Sequence, residues 1–118
     1  MRDERTFLAD MLEAAERVQR YLAGKTYDQF LNDEPLQDAV LWRLAVIGEA
    51  GKKISSATQA AMPALPFDKM AQMRDRIAHG YWKIDYLIVW VTATKRMPEL
   101  IEHVKAHLAS ASGEGSTS

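Results

Sequence analysis

The residues best suited to chemistry lie close together near the middle of the second half of the chain. Within eight positions the sequence carries Arg74, Asp75, Arg76, His79 and Tyr81. A guanidinium stabilises negative charge on phosphate oxygens, and an imidazole accepts and donates protons near neutral pH. These residue types together indicate acid–base chemistry on a phosphate ester.

This stretch is predicted to be helical and to end at Gly80. Its apolar residues repeat at helical spacing, at Met70, Met73 and Ile77. Asp75 and His79 then share one side of the helix, whereas Arg74 and His79 lie about 140° apart around its axis. Either the helix ends at His79 and turns the ring back toward Arg74, or a second copy of the chain supplies the matching partner.

The residues alone leave a structural interpretation open. Arg74 and Asp75 can be solvated helix charges, and His79 can be favoured near the C-terminus of its helix by the helix dipole. Tyr81 and Trp82 can simply cover the end of a bundle, as aromatic residues near helix ends often do. A short motif of this kind also arises by chance.

The order Arg-Asp-x-x-x-His-Gly-Tyr at residues 74–81 resembles the signature of the HEPN superfamily. Its ending is similar to the HepT-like branch, whose motif usually reads Arg-Asn-x-x-x-His-x-Tyr. The likeness extends to IGEAGKK at 47–53, the proline-containing approach at 63–67 and IDYLIVW at 84–90, so it covers nearly the whole chain except the tail. One position departs from the branch, because residue 75 is Asp where Asn is most common. That carboxylate favours a protonated imidazole and repels phosphate.

The resemblance implies a helical homodimer in which two copies of the motif face each other across one cleft. It implies an endoribonuclease that cuts tRNA or mRNA without metal, by internal attack of the ribose 2′-hydroxyl. His79 would accept the proton, Arg74 would stabilise charge on the phosphorane, and Asp75 would orient the histidine or the arginine. Arg76 and Lys83 are further candidates for binding the substrate. No cofactor is expected.

The resemblance also implies a partner and a mode of silencing. In the HepT-like branch the tyrosine of the motif, here Tyr81, is modified with AMP by a minimal nucleotidyltransferase antitoxin, which makes the chain the toxin of a type VII-like pair. Two alternatives remain open. One is a non-catalytic helical dimer that binds a nucleotidyltransferase or nucleic acid as a scaffold. The other is a purely structural dimerisation module, favoured if Arg74, Asp75 and His79 lie far apart in the assembly.

Composition limits the remaining function classes. A chain of 118 residues is long enough for one core, which we assign to residues 1–109, with a disordered tail at 110–118. The net charge is −1, so contact with RNA must rest on a local patch. Cysteine is absent, and Glu99, His103 and His107 lack the spacing of a HExxH metal site. The longest apolar run, residues 86–91, is too short for a membrane helix, and a cytoplasmic location is expected.

Periodicity predicts an all-α fold, an up-and-down bundle of four main helices plus short helical pieces. Residues 3–23 form an amphipathic helix that Gly24 ends, and a second apolar stripe runs from Val40 to Ile54. Gly48 and Gly51 within that stripe indicate close approach of another helix. Glu49 beside it is expected to pair with Arg74 or Arg76.

Capping residues and prolines predict where the other helices begin or break. Thr26 and Gln29 have the spacing of a capping box, and Asn32 or Asp33 caps the following helix. Asp85 can cap the apolar helix at 86–91, which is predicted to be buried on two sides, in the core or against a partner. Pro98 is expected to kink the C-terminal helix, or to make it restart near Arg96.

Overall fold

The computed structural model describes residues 3–80 and 83–117, and this part of the chain is helical with no strand. The helices are α1 (Glu4–Leu22), α2 (Tyr27–Leu31), α3 (Glu34–Gly51), α4 (Ser56–Ala61), α5 (Phe67–His79), α6 (Tyr86–Val91) and α7 (Met97–Thr117), with a π-helical segment (Thr92–Arg96) between α6 and α7. The all-α prediction is confirmed. The division into a domain of residues 1–109 and a tail of residues 110–118 stays a prediction.

Local sequence signals set most helix ends. Gly24 follows α1 with a φ of +74°, a conformation that residues with a Cβ rarely adopt. The predicted capping box forms at α2, because the Thr26 side chain accepts from the Gln29 N–H and the Gln29 side chain accepts from the Thr26 N–H. Asp33 caps α3, and Asp85 caps α6 by accepting from the Leu87 N–H. These caps were predicted correctly because each depends on residues within three positions.

Helix α3 ends earlier than its apolar stripe. The helix stops at Gly51, and the next turn is made by Lys53 N–H and Ile54 N–H, which donate to carbonyls three residues back. Ile54 is nevertheless buried, so the stripe continues into the core after the helix has ended. The GEAGKK segment at 48–53 therefore includes the end of the helix, and Lys52 occupies the C-cap position.

The core is built mainly from α1, α3 and α7. Helix α1 packs against both α3 and α7, and α3 also packs against α5. The largest fully buried side chains are Phe30, Leu8, Met11, Ile47, Leu100, Val18, Val40, Val89 and Val104. Helix α5 differs, because α3 is its main packing partner and Phe67 is its single buried residue in the described part of the chain.

Gly48 is the point where α3 and α5 come closest. A Cβ at this position would lie 2.5 Å from Arg74 Cβ and 2.6 Å from the backbone oxygen of Met70. Real side chains do not approach so closely, so only glycine allows this packing. The predicted close approach of a second helix is thus confirmed, and its partner is the helix that carries the motif.

Helix α6 leaves one apolar side open. Val89 is buried, but Leu87 and Ile88 are 51% and 48% exposed, so only one of the two predicted buried sides is covered within one chain. The π-helical segment ends at Arg96 and the α-helix resumes at Met97, which confirms the predicted restart. Pro98 has no N–H to donate to the carbonyl four residues earlier, which explains why regular α-helical bonding is interrupted there. None of the helices described is both long and apolar enough to span a membrane.

Candidate active site

A network of four charged side chains joins the end of α3 to α5. The Arg74 Nε atom lies 3.0 Å from Glu49 Oε2, and Arg74 Nη1 lies 3.3 Å from Asp75 Oδ1. Lys52 Nζ lies 2.7 Å from the same Asp75 oxygen. Of the two arginines predicted to pair with Glu49, the structure therefore selects Arg74.

The glycine at position 48 explains why the network forms here. The β-carbon of Arg74 lies against Gly48, so the start of the Arg74 side chain packs into the space that a larger residue would fill. The guanidinium then extends along α3 to Glu49, the next residue in the chain. Lys52 lies one turn further on and reaches Asp75. Gly48 thus brings the motif helix close enough for these charges to meet.

Electrostatics keep the aspartate ionised. The hydrogen bond from Lys52 is the main reason that the pKa of Asp75 is below its ordinary value, and the hydrogen bond from Arg74 lowers that pKa further. The network contains two acids and two bases, so its formal charge is zero. All four side chains are partly exposed, and such ion pairs add little to folding. Their main effect is to set the orientation and the local charge of Arg74.

His79 is not part of this network. It is the last residue of an unbroken α5 and is exposed, and Gly80 closes the helix with an N–H bond to the Arg76 carbonyl at 2.8 Å. Among the described residues its imidazole has no hydrogen-bond partner. The helix therefore does not turn His79 back toward Arg74, and Asp75 contacts the arginine rather than the histidine. The role of each residue stays a prediction.

The two arginines of the motif line different clefts. Arg74 borders a cleft of about 650 Å³ together with Trp42 and Ile77. Arg76 borders a groove of about 310 Å³ on another side of α5, together with Met73. Arg76 is thus displaced from the Arg74 network, although both remain candidates for binding an extended substrate.

Two further predicted site residues follow Gly80 in the sequence. Lys83 is exposed, and its backbone N–H donates to the Gly80 carbonyl at 2.8 Å, which places it just beyond the end of α5. Tyr81, the predicted AMP acceptor, lies outside the described residues. In the part of the chain that is described, no three His, Asp or Glu side chains are arranged to hold a metal ion.

Sequence reasoning missed Lys52 and Trp42. Lys52 is 23 positions from Asp75, and no local pattern connects them. Trp42 is 64% exposed at the cleft that Arg74 borders, and it gives a clearer signal. Apolar residues occupy nearly every side of α3, and Trp42 is one of them. Such a helix has more apolar surface than one core can cover, which indicates a second contact surface.

Comparisons with known proteins identify the family of this chain. The profile described as "Ribonuclease HepT-like" matches residues 11–107. The chain is 39% identical to "Putative RNase MJ1216" of Methanocaldococcus jannaschii over 84% of this chain and 82% of that protein. It is 33% identical to "Probable ribonuclease HepT" of Thermococcus cleftensis over 84% of this chain and 90% of that protein. The chain belongs to the HepT-like ribonuclease family. No solved structure gives a significant match.

Proposed function

We propose that this chain is an endoribonuclease toxin that cuts RNA without a metal ion, at a site shared by two copies. The main support is the position of Arg74 on α5, where Glu49 of α3 holds its guanidinium, while the exposed His79 lies at the C-terminal end of α5. Family membership adds the ribonuclease class. One chain does not join the two groups, so a second copy is required to complete the site.

The proposed reaction is attack of a ribose 2′-oxygen on the adjacent phosphorus. His79 takes the proton from the 2′-hydroxyl while the new O2′–P bond forms. The P–O5′ bond breaks, and His79 of the second copy protonates the leaving 5′-oxygen. The products are a 2′,3′-cyclic phosphate end and a free 5′-hydroxyl end.

Arg74 stabilises the negative charge that builds on the phosphate oxygens during this step. Its Nε atom pairs with Glu49 and its Nη1 atom pairs with Asp75. The two bound nitrogens restrict the rotation of the guanidinium plane. An arginine oriented before the substrate arrives loses less conformational freedom when it binds phosphate.

Exposed apolar surface supports pairing of two copies. Trp42 on α3 is more than half exposed beside the Arg74 cleft, and Leu87 and Ile88 on α6 are about half exposed. Leu87 and Ile88 are adjacent on α6, and exposed apolar side chains next to each other indicate a protein interface. A two-fold axis would bring the α5 helices of the copies to one cleft.

Tyr81 is the proposed site of control. A minimal nucleotidyltransferase antitoxin would transfer AMP to its hydroxyl, adding bulk and negative charge next to a site that must bind phosphate. Expression of both proteins together, followed by mass spectrometry of the peptide that contains Tyr81, tests this step. An unmodified tyrosine after coexpression with a cognate, active nucleotidyltransferase contradicts it.

The nuclease is tested with labelled RNA and purified protein in the presence of EDTA. We expect cleavage by the wild type and a loss of at least about 100-fold in rate for Arg74→Ala and for His79→Ala. His103→Ala is the matched control, because it removes an imidazole from α7 and should leave the rate unchanged. Folded, dimeric wild type that leaves the RNA intact contradicts the proposal.

One observation favours a second candidate, the non-catalytic dimer that acts as a scaffold. Arg74 is flanked by two carboxylates, Glu49 and Asp75, which compete with phosphate for its donors. If those contacts persist in the dimer, the arginine serves structure instead of catalysis. Intact RNA together with tight binding of the nucleotidyltransferase would select this candidate.

A further inference from the structure

Lys52 is a basic residue outside the motif that contacts the motif directly. Its Nζ lies 2.7 Å from Asp75 Oδ1, an oxygen that it shares with Arg74 Nη1 at 3.3 Å. We propose that Lys52 is a positioning residue that neutralises Asp75 and so keeps Arg74 available for a phosphate of the RNA. This inference rests on the proposed ribonuclease function.

The charges around Arg74 show why such a residue is needed. Glu49 and Asp75 both contact the guanidinium, so these three side chains alone carry a formal charge of −1. An incoming phosphate is repelled by that excess negative charge and must compete with both carboxylates for donors. Lys52 brings the sum of the four side chains to zero.

The distances show which cation holds the carboxylate. A separation of 2.7 Å is a short charge-assisted hydrogen bond, whereas 3.3 Å is near the outer limit for such a bond. Asp75 is therefore bound chiefly by Lys52, and its contact with Arg74 is the weaker of the two. The lowered pKa of Asp75, caused first by Lys52 and then by Arg74, agrees with this order.

The backbone around Lys52 is well held. Its N–H donates to the Gly48 carbonyl at 3.2 Å as the C-cap of α3. Three residues later, the Ser55 N–H donates to the Glu4 carboxylate, which ties this turn to the start of α1. Lys52 thus extends from an anchored helix end, a suitable base for a residue that must fix the position of another side chain.

A double-mutant cycle tests the proposal. The variants are Lys52→Met, Asp75→Asn and the two combined, and the measurements are kcat/KM for RNA cleavage and the Kd for an uncleavable 2′-O-methyl RNA. We expect Lys52→Met alone to lower kcat/KM and to weaken binding about tenfold. In the Asp75→Asn background the same change should have an effect of less than about twofold, because no carboxylate remains to be neutralised.

Lys53 supplies the matched control. It is the adjacent lysine, it is exposed, and it borders the cleft that Arg74 borders. Lys53→Met should have the same effect in both backgrounds, since it tests general attraction between the protein and RNA. Lys52→Arg should restore most of the activity, because it restores a cation beside Asp75.

A measurement without RNA separates this inference from the proposed function. In Lys52→Met the pKa of Asp75, followed by NMR, should rise toward its ordinary value, while the thermal midpoint stays close to that of the wild type. An unchanged Asp75 pKa, or equal losses from Lys52→Met in both backgrounds, overturns the role of Lys52 while cleavage by the wild type stands. If the wild type neither binds nor cleaves RNA, the proposed function fails, and the role of Lys52 fails with it.

Discussion

Two carboxylates contact the chain between the end of α3 and the first turn of α4, and they are held in different ways. Glu4 of α1 accepts hydrogen bonds from the Ser55 N–H and from Thr58 Oγ1, the latter at 2.7 Å. Asp75 of α5 is held by two cations, Lys52 and Arg74. Both carboxylates have a lowered pKa, in Glu4 chiefly through the Ser55 backbone N–H and in Asp75 chiefly through Lys52.

The difference teaches what each contact contributes. The Glu4 carboxylate accepts hydrogen bonds from a backbone N–H and a hydroxyl at the start of α4, so this contact with neutral donors helps the fold. Exposed cations around Asp75 add little to folding but control the charge beside Arg74. The packing agrees, because α1 contributes six buried residues to the core, including Leu8 and Val18, whereas Phe67 is the buried residue of α5.

The largest expected effect comes from Gly48→Ala. The new methyl group would meet Arg74 Cβ and the Met70 carbonyl oxygen at about 2.5 Å, and the backbone oxygen cannot rotate away. We expect α5 to be pushed from α3, with a loss of about 1–3 kcal/mol in the free energy of unfolding and loss of RNA cleavage. Urea denaturation and the cleavage assay measure the two effects.

Gly51→Ala is the matched control for that change. A Cβ at position 51 would lie 3.6 Å from the nearest atoms of Met70 and Phe67, which is ordinary contact. Because alanine has a higher helix propensity than glycine, the free energy of unfolding should stay the same or rise by up to about 1 kcal/mol. A Gly48→Ala variant as stable as Gly51→Ala would show that α3 and α5 do not approach as closely as described.

The next largest effect is expected for Glu4, whose carboxylate accepts hydrogen bonds from two uncharged donors. Glu4→Ala removes the acceptor for the Ser55 N–H and the Thr58 hydroxyl and should lower the free energy of unfolding by about 1–2 kcal/mol. RNA cleavage at room temperature should persist, because Glu4 does not contact the motif. Glu13→Ala is the control, since its pair with Arg17 lies exposed on the same helix and should change stability by under about 0.5 kcal/mol. If Glu4→Ala abolishes cleavage while the protein stays folded, the proposed separation between fold and site is wrong.

The smallest expected effect is the dependence of stability on pH. A carboxyl with a lowered pKa binds protons less readily in the folded state than in the unfolded state, so its stabilisation is present above the unfolded pKa. That stabilisation is lost as the pH falls through the folded pKa. We expect the free energy of unfolding to decrease below about pH 5. The decrease should be shallower in Glu4→Gln and, to a smaller extent, in Asp75→Asn.

Urea denaturation between pH 7 and pH 3 measures this dependence. If the free energy of unfolding falls equally steeply with pH in the wild type and in Glu4→Gln, the pKa of Glu4 is the same in the folded and unfolded states, which contradicts the prediction. Added salt distinguishes the two carboxylates, because ions screen the exposed pairs of Asp75 more than the hydrogen bonds of Glu4. The contribution of Asp75 should therefore shrink at high salt, and that of Glu4 should remain.

Features that depend on neighbouring residues could be predicted from the sequence. The capping box at Thr26, the caps at Asp33 and Asp85 and the restart before Pro98 all involve groups within four positions. The sequence also predicted that Glu49 pairs with an arginine. Gly48 indicated a nearby helix, and a carboxylate beside such a contact needs a cation. The choice between Arg74 and Arg76 required the structure.

The sequence by itself determined the all-α class, the caps of several helices, where the reactive residue types lie, and the family to which the chain belongs. It did not indicate α4 at Ser56–Ala61. Only the tertiary structure decided that Lys52 meets Asp75, that Arg74 and Arg76 border separate clefts, and that His79 stays apart from Arg74. The physical reason is how far apart in the sequence the contacting residues lie. A cap forms between residues that the chain already holds together, whereas contacts between helices depend on where each helix ends and on how its sides are rotated toward the next.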